Sequence, residues 1–181
     1  MSDELEALKT VARRLGEAGI GYMMTRSMAV NYYAVPRMTR DIDLVVELSV
    51  GDADRILDLF GDDFYLDGDA VRRAIERRES FNVIETSRVV KVDFVVRKDT
   101  EYRRTEFARK KRILLEGQAL FIVAPEDLII SKLDWARDTR SETQLRDVRN
   151  VLAAVPDLDR AYLAHWIARL GLEPLYRDVG R

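Results

Sequence analysis

MMTRSMAVNYYAVPRMTRDIDLVVE (Met23–Glu47) ends in an apolar, β-branched run, Leu44-Val45-Val46, entered through Asp41-Ile42-Asp43. Such a run reads as a strand buried in a sheet, preceded by an Arg/Thr-rich turn. Strand side chains alternate, so Asp41 and Asp43 share one face. Two close carboxylates repel unless something neutralises them, and a divalent cation held by oxygen ligands is one way to do so. Solvated acids at the end of a strand are the plainer alternative.

The surroundings favour a site. Thirteen residues separate Ser27 from Asp41, and Ser27 follows a short apolar strand expected over residues 20–25. A later strand, Lys91–Arg97 (KVDFVVR), carries Asp93 among apolar neighbours. There Val92, Phe94 and Val96 can face the core, while Asp93 shares its face with Lys91 and Val95. An acid in mid-strand needs a partner, and a metal shared with Asp41 and Asp43 would serve.

Serine after one strand, Asp-x-Asp at the mouth of the next and a lone Asp on a third resembles the nucleotidyltransferase superfamily related to DNA polymerase β. More narrowly, SMAVNYYAVPRMTRDIDLVV and the later APEDLIISKLDWARDTRSETQLRDVRNVL resemble the AbiEii-type toxin and abortive-infection nucleotidyltransferases. The likeness runs from about Gly21 to Leu152. It implies an α/β (α+β) nucleotidyltransferase fold, with a small twisted mixed sheet flanked by helices and a C-terminal helical subdomain. It also implies Mg²⁺-dependent transfer of a nucleoside monophosphate from an NTP to an acceptor hydroxyl. The metal ligands would be Asp41, Asp43 and Asp93, holding two Mg²⁺ ions, with Mn²⁺ as a substitute.

By the same resemblance Ser27 and its backbone meet the β/γ phosphates, Lys132 neutralises developing charge and Asp147 orients Lys132 or the acceptor. Implied partners are the NTP, an RNA or tRNA 3′ end or a protein hydroxyl as acceptor, and a cognate antitoxin protein. The family carries a small pair, Gly-Ser or Gly-Gly, where this chain has Arg26-Ser27. Glycine there lets backbone approach the triphosphate at a helix start. Arg26 could instead clamp phosphate or block the pocket. If it blocks, the chain is a catalytically silent binding module of the same fold. Arg37 and Arg40 are further phosphate or RNA candidates, with loop charges as the alternative. Hydrolysis of a phosphodiester by the same carboxylates is a third reading.

The 181 residues are 47% hydrophobic and 34% charged with a net charge of −2, as in an ordinary globular chain without strong nonspecific attraction to nucleic acid or membrane. Cysteine is absent, which excludes disulfides and thiolate metal sites, and the single histidine, His165, excludes His-rich zinc sites. No apolar run nears the ~20 residues of a membrane span and no signal peptide shows, so a cytoplasmic protein is expected.

The remaining chain reads in order. A helix capped by Ser2 carries Leu5, Leu8, Val11, Ala12 and Leu15 and ends near Gly16–Gly19. A helix from Ser27 to about Ala34 stops before Pro36. Helices are expected over Asp52–Phe60 and, capped by Asp69, over Ala70–Arg78, with a short strand between. Strands Phe81–Glu85 and Val89–Arg97 precede a helix at Tyr102–Ala108. A hairpin of Ile113–Leu115 and Ala119–Val123 follows. Arg103, Arg104, Arg109, Lys110, Lys111 and Arg112 crowd this segment and could follow an RNA backbone or form a solvated face. From Pro125 the pattern is helical, with Lys132 inside an apolar stripe, a capping box at Ser141–Gln144 and a final helix over Asp157–Leu170 closed by Gly171. The domain division falls at 1–123 and 124–181.

Overall fold

The computed structural model describes residues 2–139 and 141–179. Helix α1 (Asp3–Glu17) begins where the Ser2 hydroxyl accepts from the Leu5 amide, with Asp3, Glu4 and Glu6 in the first turn. Free N–H groups there favour negative charge. Its stripe of Ala7, Leu8, Val11, Ala12 and Leu15 is buried, and Gly19, at φ 68°, takes the left-handed turn that releases the chain into the sheet.

Strand β1 (Tyr22–Met24) leads to α2 (Arg26–Tyr33), and β2 (Ile42–Val46) returns antiparallel to β1 with Met24 opposite Leu44. After a short 3₁₀ turn come α3 (Ala53–Phe60), β3 (Phe64–Tyr65) and α4 (Gly68–Arg77). Next are β4 (Ser80–Glu85) and β5 (Val90–Val96), which pair antiparallel as a hairpin. Helix α5 (Glu101–Ala108) is followed by the hairpin β6 (Lys111–Leu115) and β7 (Gln118–Ile122), turning at Glu116-Gly117. The described strands form one mixed sheet of order β3-β4-β5-β2-β1-β7-β6, with β5 parallel to β2 and β7 parallel to β1. Helices α6 (Pro125–Thr139), α7 (Glu142–Ala154), α8 (Arg160–Arg169) and α9 (Glu173–Val179) complete the chain. The expected α/β architecture is therefore present. The seam placed at 123/124 lies between β7 and α6.

Period two gives the sheet its two faces. Ile42, Leu44, Val46, Val92, Phe94 and Val96 are fully buried on one of them. Phe94 is the centre of an aromatic cluster there, 5.6 Å from Phe60 on α3 and 5.1 Å from Phe81 on β4, both edge-on. The opposite face carries Asp43, Val45, Asp93 and Val95 and is covered by α2 and α6.

Three local expectations are corrected. Helix α4 starts earlier, because Asp67 rather than Asp69 is the cap: its carboxylate accepts from the amides of Asp69 and Ala70 at 3.0 Å. Ser141 is the residue before α7, but its side chain makes no capping bond. The helix expected over Asp157–Leu170 begins instead at Arg160, capped by Asp159; Gly171, at φ 68°, does close it, but it is not the final helix. Helix α9 follows, too short for its own periodicity, and Leu175 and Val179 hold it by burial against α6 and α7.

Phe94→Ala removes the ring on which these aromatic contacts converge. It should lower unfolding free energy by about 3–5 kcal/mol in urea titration at an unchanged m-value. A loss below about 1 kcal/mol would show that the cluster is not the core's centre.

Candidate active site

Parallel pairing of β2 with β5 sets Asp43 directly opposite Asp93. The Asp43 side chain is 4% exposed, Asp93 is half-buried, and Asp41 is exposed just before β2. The structure thus places Asp43 and Asp93 side by side on one sheet face, on two interior strands, with Asp41 just before β2. Burial pushes the Asp43 carboxyl up from its ordinary value, and the charges of Asp93 and Asp41 add to this, while Arg26 opposes it.

Both in-register carboxylates are already paired with cations of the chain. Arg26 Nη1 donates to Asp43 Oδ1 at 2.7 Å, and its guanidinium lies 3.7 Å from the centre of the Trp135 ring on α6. Lys91 Nζ donates to Asp93 Oδ2 at 2.8 Å, a bond that raises the Lys91 pKa. As arranged, no three acidic or imidazole side chains among the described residues converge closely enough to hold a metal ion. The carboxylates have the chemistry of a hard-cation site, but Asp43 and Asp93 are turned toward Arg26 and Lys91, so this arrangement is not a ligand set.

Arg26 adopts φ 55°. This is the left-handed region that glycine enters freely and that costs a residue with a side chain about 1–2 kcal/mol. The ion pair of Arg26 with Asp43 and its contact with the Trp135 ring offset that strain. Thr25, the residue before α2, makes no side-chain cap, so the N–H groups of the first turn remain open to an anion.

Ser27, Lys132 and Asp147 also come together, joined by Arg37. Arg37 Nη2 donates to Ser27 Oγ at 2.8 Å and to Asp147 Oδ2 at 3.3 Å, and Lys132 Nζ donates to the same oxygen at 2.8 Å. The Lys132 and Asp147 side chains are 4% and 0% exposed. Burial lowers the Lys132 pKa, and Asp147 opposes the shift. Asn31 fixes the loop after α2 by bonding both the carbonyl and the amide of Arg37, at 2.8 and 2.9 Å. Asp147 Oδ1 and Arg37 Nε have no protein partner and are left for water or a ligand. Arg40 is exposed and lines a second groove with Met28 and Met38.

Trp135 was not legible as a site residue from sequence. Its signal is spacing: Leu128, Ser131, Lys132 and Trp135 share one face of α6. Part of the basic segment is structural. Arg103 is bonded to Glu106, Ser131 and Asp134, and Arg109 to Glu126 and Asp127 with its guanidinium over Tyr162. His165 is exposed, edge-on to Trp166.

No protein-family model matches the sequence, and no curated protein matches it. Solved structures do match. An antigenic nucleotidyltransferase-like protein from Paracoccidioides brasiliensis is 17% identical at a TM-score of 0.59, covering 98% of this chain and 92% of its own. The antibiotic-resistance factor ANT(2'')-Ia is 13% identical at 0.59, covering 97% and 94%. A putative nucleotidyltransferase from Thermotoga maritima is 15% identical at 0.54, covering 78% and 90%. The chain therefore has the nucleotidyltransferase fold.

Asp147→Ala should cost about 3–5 kcal/mol, because Lys132 is left as a buried unpaired charge. Adding Lys132→Met should recover much of that loss. Thermal or urea unfolding of the two variants checks this, and a double variant no more stable than Asp147→Ala alone would contradict it.

Proposed function

We propose that this protein is a nucleotidyltransferase that moves a nucleoside monophosphate from an NTP to an acceptor hydroxyl. The observation that carries the reading is the in-register pair Asp43 and Asp93, with Asp41 beside it, next to an open helix start bearing Ser27 and across from Lys132. The acceptor oxygen bonds to the α-phosphorus, the bond to the leaving pyrophosphate breaks, and Asp93 receives the hydroxyl proton. Ser27 and the first turn of α2 bind the β/γ phosphates. Lys132, oriented by Asp147, supplies positive charge to the phosphates. Such transfers depend mainly on positioning and charge neutralisation.

Magnesium belongs to this proposal as the ion expected to enter with the NTP, and its entry requires Arg26 and Lys91 to release Asp43 and Asp93. The narrower reading, a toxin of the AbiEii type acting in the cytoplasm on an RNA, a tRNA 3′ end or a protein and held by an antitoxin, is supported by the sequence resemblance. A second reading, a silent binding module, is favoured by one observation: the ion pair of Arg26 with Asp43.

Calorimetric titration with ATP, GTP, CTP and UTP, each with and without Mg²⁺, separates them. Wild-type binding should require Mg²⁺ and disappear in Asp41→Ala/Asp43→Ala. Breaking a charge-assisted hydrogen bond costs about 1.5–3 kcal/mol. Arg26→Gly should therefore tighten Mg·ATP roughly tenfold or more, whereas a phosphate-clamping Arg26 would make the same variant weaker. If no NTP binds folded wild type or Arg26→Gly, the enzyme reading fails and the binding module stands.

A further inference from the structure

The face that carries the carboxylates continues into a cavity of about 340 Å³. Val45 and Val95 form its floor, one side-chain step along the strands from Asp43 and Asp93 and still in register with each other. Leu128, Ser131 and Trp135 of α6 close over it, and Arg26 and Lys132 stand at the carboxylate end. At the other end, where the chain leaves β5, Arg78 and Lys98 form the rim. That rim lies roughly 10 Å or more from Asp93, three residues of strand away.

Most cations of the wall are already matched. Arg26 pairs with Asp43, Arg97 with Glu47 and Asp99, Arg103 with Glu106 and Asp134, and Lys132 with Asp147. Two differ. Arg78 Nη1 donates only to the Arg97 carbonyl, at 2.9 Å, and neither Arg78 nor Lys98 forms an ion pair among the described residues. Against them stand the exposed Glu79, which has no ion pair among the described residues, and Asp99, which pairs with Arg97 and Arg104 and also feels the charge of Arg78. Arg78 is also held at φ 53° as the C-cap of α4. Two of the non-glycine residues with left-handed backbone, Arg26 and Arg78, therefore stand at opposite ends of one cavity. At Arg78 that conformation closes α4, and it fixes where the arginine leaves the helix at the rim.

We propose that this cavity binds a small organic anion, with its charged group between Arg78 and Lys98 and a flat apolar body between Val45, Val95 and Trp135. Its volume sits at the small end of the range for small-molecule sites and is too little for folded RNA or protein. Identifying this anion as the acceptor rests on the nucleotidyl-transfer reading: a hydroxyl at its inner end lies beside Asp43 and Asp93. There it gains the bond to the α-phosphorus while pyrophosphate leaves and Asp93 takes the proton. The anion site itself does not depend on that reading.

The probe is 1-naphthyl phosphate, with 1-naphthoate as a second anion, 1-naphthylmethylamine as the cation of the same body and inorganic phosphate as headgroup alone. Wild type should bind both naphthyl anions saturably by fluorescence titration, at least tenfold more tightly than the amine or inorganic phosphate. Arg78→Asn, chosen because asparagine tolerates the left-handed backbone, and Lys98→Gln should each weaken the anions roughly tenfold. Ser131→Trp, which fills the cavity, should abolish binding. Mg·ATP affinity should stay within about twofold in the Arg78 and Lys98 variants.

Absence of saturable anion binding, equal affinity for the amine, or variants without effect would overturn the proposal. So would a parallel loss of Mg·ATP, which would make this the nucleotide's own pocket, or Arg78- and Lys98-dependent binding of tRNA without naphthyl phosphate. Anion failure with ATP binding intact removes this inference alone. Failure of every NTP with anion binding intact removes the transferase reading and leaves the anion site standing.

Discussion

Asp43 and Asp93 are held opposite each other on adjacent parallel strands, and the rest of the site follows from their repulsion. Two unit charges about 5 Å apart at an effective dielectric near 20 oppose one another by about 3 kcal/mol. Burial of Asp43 adds a desolvation cost, which is why its carboxyl is shifted up. The sheet register fixes the pair, so relief has to come from cations. The chain supplies two: Arg26 reaches Asp43 from the start of α2, and Lys91 reaches Asp93 from two residues earlier on the same strand face.

Arg26 accepts an uncommon backbone conformation to do this. Its guanidinium is held on one side by a carboxylate and on the other by the Trp135 ring, so the α2 end of the sheet is tied to α6 across the carboxylate face. A second tie runs deeper. Asp147 on α7 receives Lys132 from α6 and Arg37 from the loop after α2, and Arg37 reaches on to Ser27. The first tie is partly open to solvent, since the Arg26 side chain is a third exposed, while the Lys132–Asp147 bond is closed to it. This difference gives them different roles. A surface-facing arginine can rotate away when a competing ligand arrives, whereas breaking a buried pair strands a charge.

The cations of the chain fall into two groups by the same measure. Arg103 and Arg109, in the basic segment, are bound into carboxylate networks that join α5, α6 and α8, so their charge serves the packing of those helices. Arg78 and Lys98 look unremarkable in sequence, yet they stand without ion pairs at the mouth of a cavity. Counting charges along the chain would have ranked these groups in the opposite order.

Sequence by itself determined most of the elements and the common sheet face of its acids. The alternation in DIDLVV and KVDFVVR specifies two buried strands whose acids share a face, because the side-chain period of a strand is fixed by backbone geometry. Resemblance added Ser27, Lys132 and Asp147, and all three meet in space. Tertiary structure alone decided what each acid is paired with. The contacts of Arg26 with Trp135, of Arg37 with Asp147 and of Arg78 with the cavity join residues distant in the chain, and no local period encodes them. The same holds for the left-handed backbone at Arg26 and Arg78, which intrinsic preference would assign to glycine or asparagine. Helix α9 and the cap at Asp67 were set by burial and by local hydrogen bonding that outweighed the pattern. Local chemistry placed the acids in one sheet face, and packing over long separations chose the cations that now neutralise them.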